Sequence, residues 1–97
     1  MATFISLMSY TEQGIANIKD SPKRLDQARE GFEAMGVTIK DVYLTMGAYD
    51  LVIVTEAPDA ATAAKALLTI GSMGNVSTTT LTAFTEDEYR EIVAGLL

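Results

Sequence analysis

The chain has no cysteine, no histidine and no tryptophan among its 97 residues. Without a thiolate or an imidazole, soft-ligand zinc sites, histidine-ligated haem and Ser-His-Asp or Cys-His nucleophiles are excluded, and no cofactor is expected. Basic residues are scarce: 7 Lys and Arg stand against 13 Asp and Glu, for a net charge of -6. A protein that neutralises phosphates needs clustered positive charge, so nucleic acid is not an expected partner. No apolar run approaches the ~18 residues of a membrane helix, and no membrane partner is expected. The first residues, Met1-Ala2-Thr3-Phe4-Ile5-Ser6-Leu7-Met8, lack the basic start and long apolar stretch of a secretory signal. Together with the absence of cysteine, this makes a cytoplasmic location the expectation. Proline occurs only at Pro22 and Pro58. No Pro-, Gly- or Ser-rich linker divides the chain, so residues 1–97 are expected to form one domain.

What is present is a globular composition, 48% hydrophobic and 21% charged. Thr3 to Tyr10 carries apolar residues in both alternating sets, Phe4 and Met8 in one and Ile5 and Leu7 in the other. A strand of that kind is buried on both faces. Thr11 is placed to cap a turn or short helix at Glu12–Ile15. Ser21-Pro22 opens a longer helix, with Ser21 as N-cap. Leu25, Ala28, Phe32 and Met35 form its apolar stripe, and Gly36 ends it. Val37 to Met46 reads as a strand with Val42, Leu44 and Met46 on its apolar side. A turn at Met46–Tyr49 then leads into Tyr49–Thr55, the most apolar strand, in an antiparallel hairpin. Pro58-Asp59 precedes a helix over about 60–70, with Ala63, Ala64, Leu67, Leu68 and Ile70 as its apolar side. Val76 to Phe84, rich in Thr and Ser, suits an edge strand. Thr85 and Glu88 make a capping box for a short amphipathic last helix.

The order is β-α-β-β-α-β plus a terminal helix, the ferredoxin-like arrangement of an α+β protein. It implies a four-stranded antiparallel sheet with the first and third strands central and both helices on one face. The other face then exposes apolar side chains, either Phe4 and Met8 or Ile5 and Leu7, with half of Leu51–Val54. Large uncovered apolar patches are rare on monomers, so a twofold homo-oligomer through the open sheet face is expected.

Tyr10–Ile15, Ser21–Arg24, Gly47-Ala48-Tyr49-Asp50, Glu56–Asp59, Gly74–Val76 and Thr80–Thr85 together resemble the GYD family of small bacterial proteins, named for the Gly-x-Tyr-Asp motif at Gly47–Asp50. The resemblance runs along nearly the whole chain. It implies the dimeric α/β-barrel type of ferredoxin-like fold and carries no reaction with it. The hairpin is also similar to that of the ligand-sensing domain of feast/famine regulators, which implies a small molecule held at a subunit interface. The chain carries no helix-turn-helix.

Five residues stand out as pocket or ligand candidates: Tyr10, Arg24, Tyr43, Tyr49 and Asp50. Asp50 enters an otherwise apolar strand. Its carboxylate either accepts turn N–H groups and holds Gly47, or anchors a ligand or proton. The phenols suit an interface or a pocket, and in the absence of histidine they are among the few proton-transfer groups. Arg24, beside Lys23 at a helix start, opposes the dipole there; it is either an ion-paired or solvated surface residue, or a ligand for a carboxylate or phosphate. Gly71–Asn75 reads as a helix end and turn, not a phosphate loop. Asp41, Asp50 and Glu56 are the remaining hard-metal donors; no loop has calcium-binding spacing and no metal is expected. These features point to a small-molecule-binding or accessory module. The alternatives are a cofactor-free dimeric-barrel enzyme, monooxygenase- or isomerase-like, using Asp50 and tyrosines for proton transfer, or a purely structural assembly protein. Whether the chain is an enzyme is left open by its residues.

Overall fold

The structure is a computed structural model describing residues 1–97. Its elements are β1 (Ala2–Tyr10), α1 (Glu12–Ala16), a 3-10 turn (Ile18–Asp20), α2 (Ser21–Ala34), β2 (Thr38–Leu44), β3 (Leu51–Ala57), α3 (Ala60–Ser72), β4 (Val76–Ala83) and α4 (Glu86–Ala94). The strands form one antiparallel sheet in the order β2-β3-β1-β4. This is the expected α+β, ferredoxin-like arrangement: the two strands apolar on both faces are central, and the threonine-rich strand is an edge. No helix is long and apolar enough to cross a membrane.

The core lies between one sheet face and the helices. Phe4 and Met8 of β1, Ile39 of β2, and Ile53 and Ala57 of β3 meet Phe32 of α2 and Ala63 and Ala66 of α3. Ser6 is also fully buried on this face, where its Oγ and Thr80 Oγ1 are 2.9 Å apart. That hydrogen bond satisfies two hydroxyls that burial would otherwise penalise. The opposite face carries Ile5 and Leu7 of β1 between Val52 and Val54 of β3 and Leu81 of β4. Of the two expected apolar sets, Ile5 and Leu7 are the uncovered one.

Three local expectations need correction. Ser21 is already helical, with φ -55° and ψ -45°, because the 3-10 turn runs directly into α2; Asp20 takes the N-cap position without a side-chain cap. In α3 the buried stripe is Ala63, Ala66, Leu67 and Ile70, while Ala64 is exposed and Leu68 is 73% exposed. The i, i+3, i+4, i+7 spacing selects Ala66 over its neighbours. In β2 the register shifts between Ile39 and Asp41. This bulge turns both Ile39 and Val42 toward the helices. Leu44 and Met46, beyond the reach of the helices, are exposed.

Tight backbone contacts join α1 to the loop before β4. Thr11 N donates to Asn75 O at 3.0 Å, and Thr11 Oγ1 donates to Gly74 O while accepting from Gly14 N at 3.1 Å. A Cβ on Gly14 would collide with the Asn75 carbonyl. In a free helix Gly→Ala stabilises; here Gly14→Ala reverses that sign. Thermal unfolding is expected to show a loss of about 1–3 kcal/mol, which lowers the melting temperature by roughly 4–8 °C per kcal/mol.

The capping box of α4 is complete. Thr85 N donates to Glu88 Oε1 at 2.9 Å, and Glu88 N donates to Thr85 Oγ1 at 3.3 Å. The Thr85 backbone N–H, and then its hydroxyl, hold the Glu88 carboxyl below its ordinary pKa. The Thr62 N–H likewise lowers Asp59 at the start of α3. Both groups bind protons less readily folded than unfolded. Their contribution is therefore complete above roughly pH 4.5 and is lost as the pH falls through the folded-state values. Thr85→Ala is expected to lower amide protection in α4 on the order of fivefold and to remove the acid fraying of that helix, read by hydrogen exchange.

Candidate functional site

A cleft of about 220 Å³ opens between α2, α3 and the covered face of the sheet. Met8, Leu51 and Ile53 make its floor, Leu25 and Phe32 one wall, and Ile70 the other. The gap exists because α2 presents small residues, Ala28 and Gly31, where larger ones would meet α3. A Cβ added at Gly31 would touch nothing.

Polar groups collect at the end of the cleft where β1 leaves the sheet. Tyr10, the last residue of β1, places its hydroxyl 2.9 Å from Ser21 Oγ. Because Ser21 is not the helix cap, its side chain is free to make that bond. One turn along α2, Arg24 donates through Nη1 to the Asn17 carbonyl at 2.8 Å. Its Nη2 is buried and has no hydrogen-bond partner. Asn75 completes this end of the lining, and Arg24 is the only charged residue in it.

The five candidates therefore separate. Tyr10 and Arg24 line the cleft together. Asp50 does not: its Oδ2 accepts from Tyr10 N at 2.8 Å, while its own N–H donates to Met8 O at 2.8 Å. It thus extends the β1–β3 ladder by two bonds. The carboxylate accepts a backbone N–H, but from β1 instead of from its own turn. Tyr49 lies in that turn, where its carbonyl accepts from Thr45 Oγ1 at 2.7 Å. Gly47 there has φ +123°, a conformation glycine adopts freely. Tyr43 is 58% exposed on β2, paired with Val52 on the open face. Asp50 and the tyrosines named for proton transfer are not gathered at one place. No three carboxylates lie together as a metal site. Ser21 and Asn75 were not anticipated from the sequence. The small residues Ala28 and Gly31 beside the Leu25–Phe32 stripe were the available signal for the cleft.

The model of the GYD domain family matches residues 4–93. A protein of Thermus thermophilus named "Glutamine synthetase and cystathionine beta-lyase binding protein" is 40% identical over 84 residues, which are 86% of this chain and 88% of that one. The crystal structure of a hypothetical protein from Pyrococcus horikoshii superposes with a TM-score of 0.57, covering 89% of this chain and 93% of that one. At 23% identity that likeness extends to the fold alone.

Proposed function

The chain belongs to the GYD domain family, and from that premise we propose that it is an oligomeric accessory protein that acts by binding a metabolic enzyme. Its apolar surface carries this reading. Fifteen large hydrophobic residues are exposed, against nine hydrophobic residues in the core. They include two separate surfaces. One is the open sheet face, where Tyr43 and Leu81 are exposed beside the half-buried Ile5, Leu7, Val52 and Val54; the other is the stripe Tyr89, Ile92 and Val93 of α4, continued by Leu96. Apolar surface on this scale is stabilised when other protein covers it.

A second copy fits the sheet face. A twofold axis would set the same apolar centre of each copy against the other, and Asp41 and Glu56 lie at its polar rim. The α4 stripe is left for the partner enzyme. The name of the Thermus relative supports glutamine synthetase and cystathionine β-lyase as the first enzymes to try.

The experiment is size-exclusion chromatography with light scattering of the purified chain, alone and mixed with each of these two enzymes from its own source organism. A dimer or larger ring that co-elutes with an enzyme supports the reading. A chain that elutes as a monomer and shifts neither enzyme overturns it.

A further inference from the structure

We infer that the cleft between α2 and α3 is a binding site for a small carboxylic acid with an apolar body, of about the size of a phenyl ring with a short acid arm. This site is separate from both apolar surfaces and does not depend on an enzyme partner.

Three observations meet at one place. The first is shape and polarity. The cleft holds about 220 Å³. An apolar cavity of about 150 Å³ is enough for benzene, so a ring fits with room for a short arm that carries its acid group to the polar end. Its floor and walls, from Met8 and Ile53 to Phe32 and Ile70, are apolar.

The second is the single charge. Arg24 stands in the first turn of α2, where the positive end of the helix dipole disfavours a cation. Its Nη1 is taken by the Asn17 carbonyl, whereas Nη2 is buried without a partner. A buried guanidinium N–H left unpaired is costly, and a carboxylate oxygen is its strongest acceptor.

The third is what stands beside it. The Tyr10 and Ser21 hydroxyls already share one hydrogen bond, so one donor of that pair is free for a second acceptor oxygen. No Asp or Glu lines the cleft. An ammonium group would find no countercharge there, so the site selects a simple acid over a zwitterionic amino acid. A doubly charged phosphate would leave one charge unmatched.

Isothermal titration of the purified chain tests this with phenylacetate and 3-phenylpropionate as probes. Phenylacetamide, L-phenylalanine and inorganic phosphate are the comparisons. At least one acid is expected to bind, with the amide and the amino acid weaker on the order of tenfold or more and phosphate alone not competing. Arg24→Met should bring acid and amide to similar affinity. Ala28→Phe, which fills the gap from α2 and leaves Arg24 in place, should abolish binding of both. The inference is overturned if neither acid binds, if acid and amide bind alike to the unaltered chain, or if Ala28→Phe leaves acid binding unchanged. The comparison of acid with amide needs no variant, so a substitution that fails to fold does not blunt the test.

Discussion

Phe32→Ala is expected to remove about 3–5 kcal/mol of folding stability, the usual cost of emptying a buried phenyl site. Phe32 is 4% exposed and is the one fully buried residue of α2. It fastens that helix to Phe4, Met8 and Ile53 on the sheet. Domains of this size are stable by about 5–15 kcal/mol in all. The variant should therefore melt roughly 15–30 °C lower, and near the weak end of that range it should be partly unfolded at room temperature. The cleft makes the loss larger. The cavity left by the ring adjoins an existing gap, and the walls that would have to close on it are already apart. Leu68→Ala is the internal contrast. At 73% exposure on α3 it should cost less than about 0.5 kcal/mol in the isolated chain. Chemical denaturation of both variants checks the pair. Equal losses would mean that α2 and α3 do not pack on the sheet as described.

Val54→Lys is expected to leave the fold intact and to weaken pairing of two copies about 100-fold or more. Val54 lies in the central strand β3, opposite Ile5 on β1 and Asp41 on β2, and points away from the helices. In a single chain the new ammonium reaches water and stands across from the Asp41 carboxylate, so little is lost. In a twofold pair the same substitution enters the interface twice. Two like charges are then desolvated against an apolar surface, at several kcal/mol, and each 1.4 kcal/mol is a factor of about ten in the dissociation constant. Light scattering should report a monomer with unchanged circular dichroism. A dimer that persists would remove the open face as the pairing surface.

The sheet order was legible because β1 and β3 are the strands whose two faces are both apolar, and that property alone puts them in the centre. The capping box at Thr85–Glu88 and the helix end at Gly36 were legible because each rests on a local backbone requirement; Gly36 has φ +83°. The inward face of β2 was not, because a bulge of one residue changes which side chains alternate together, and the shift between Ile39 and Asp41 leaves no mark in the periodicity. The cleft was half visible. Tyr10 and Arg24 were singled out for their chemistry, but what joins them is Ser21. That residue has the composition of a helix cap and escapes the role only because a 3-10 turn precedes it. Asp50 was singled out as well, and its partner Tyr10 N lies 40 positions away, beyond any local signal.

The placement of β1 has a consequence for how the chain assembles. The first strand to be made is a central one, and both of its neighbours come late: β3 pairs with it through Ala2–Met8 against Leu51–Ala57, and β4 through Thr3–Tyr10 against Val76–Ala83. Ser6 and Thr80, which share a buried hydrogen bond, are 74 residues apart in sequence. Closing so long a loop must precede the contacts that reward it, and this slows folding relative to a helical protein of the same length. Until β4 has left the ribosome, β1 has one unpaired edge beside its uncovered Ile5–Leu7 face. The β2–β3 hairpin, whose partners are near in sequence, is the piece able to form first. The newborn chain is thus most open to misassociation just before its last strand arrives.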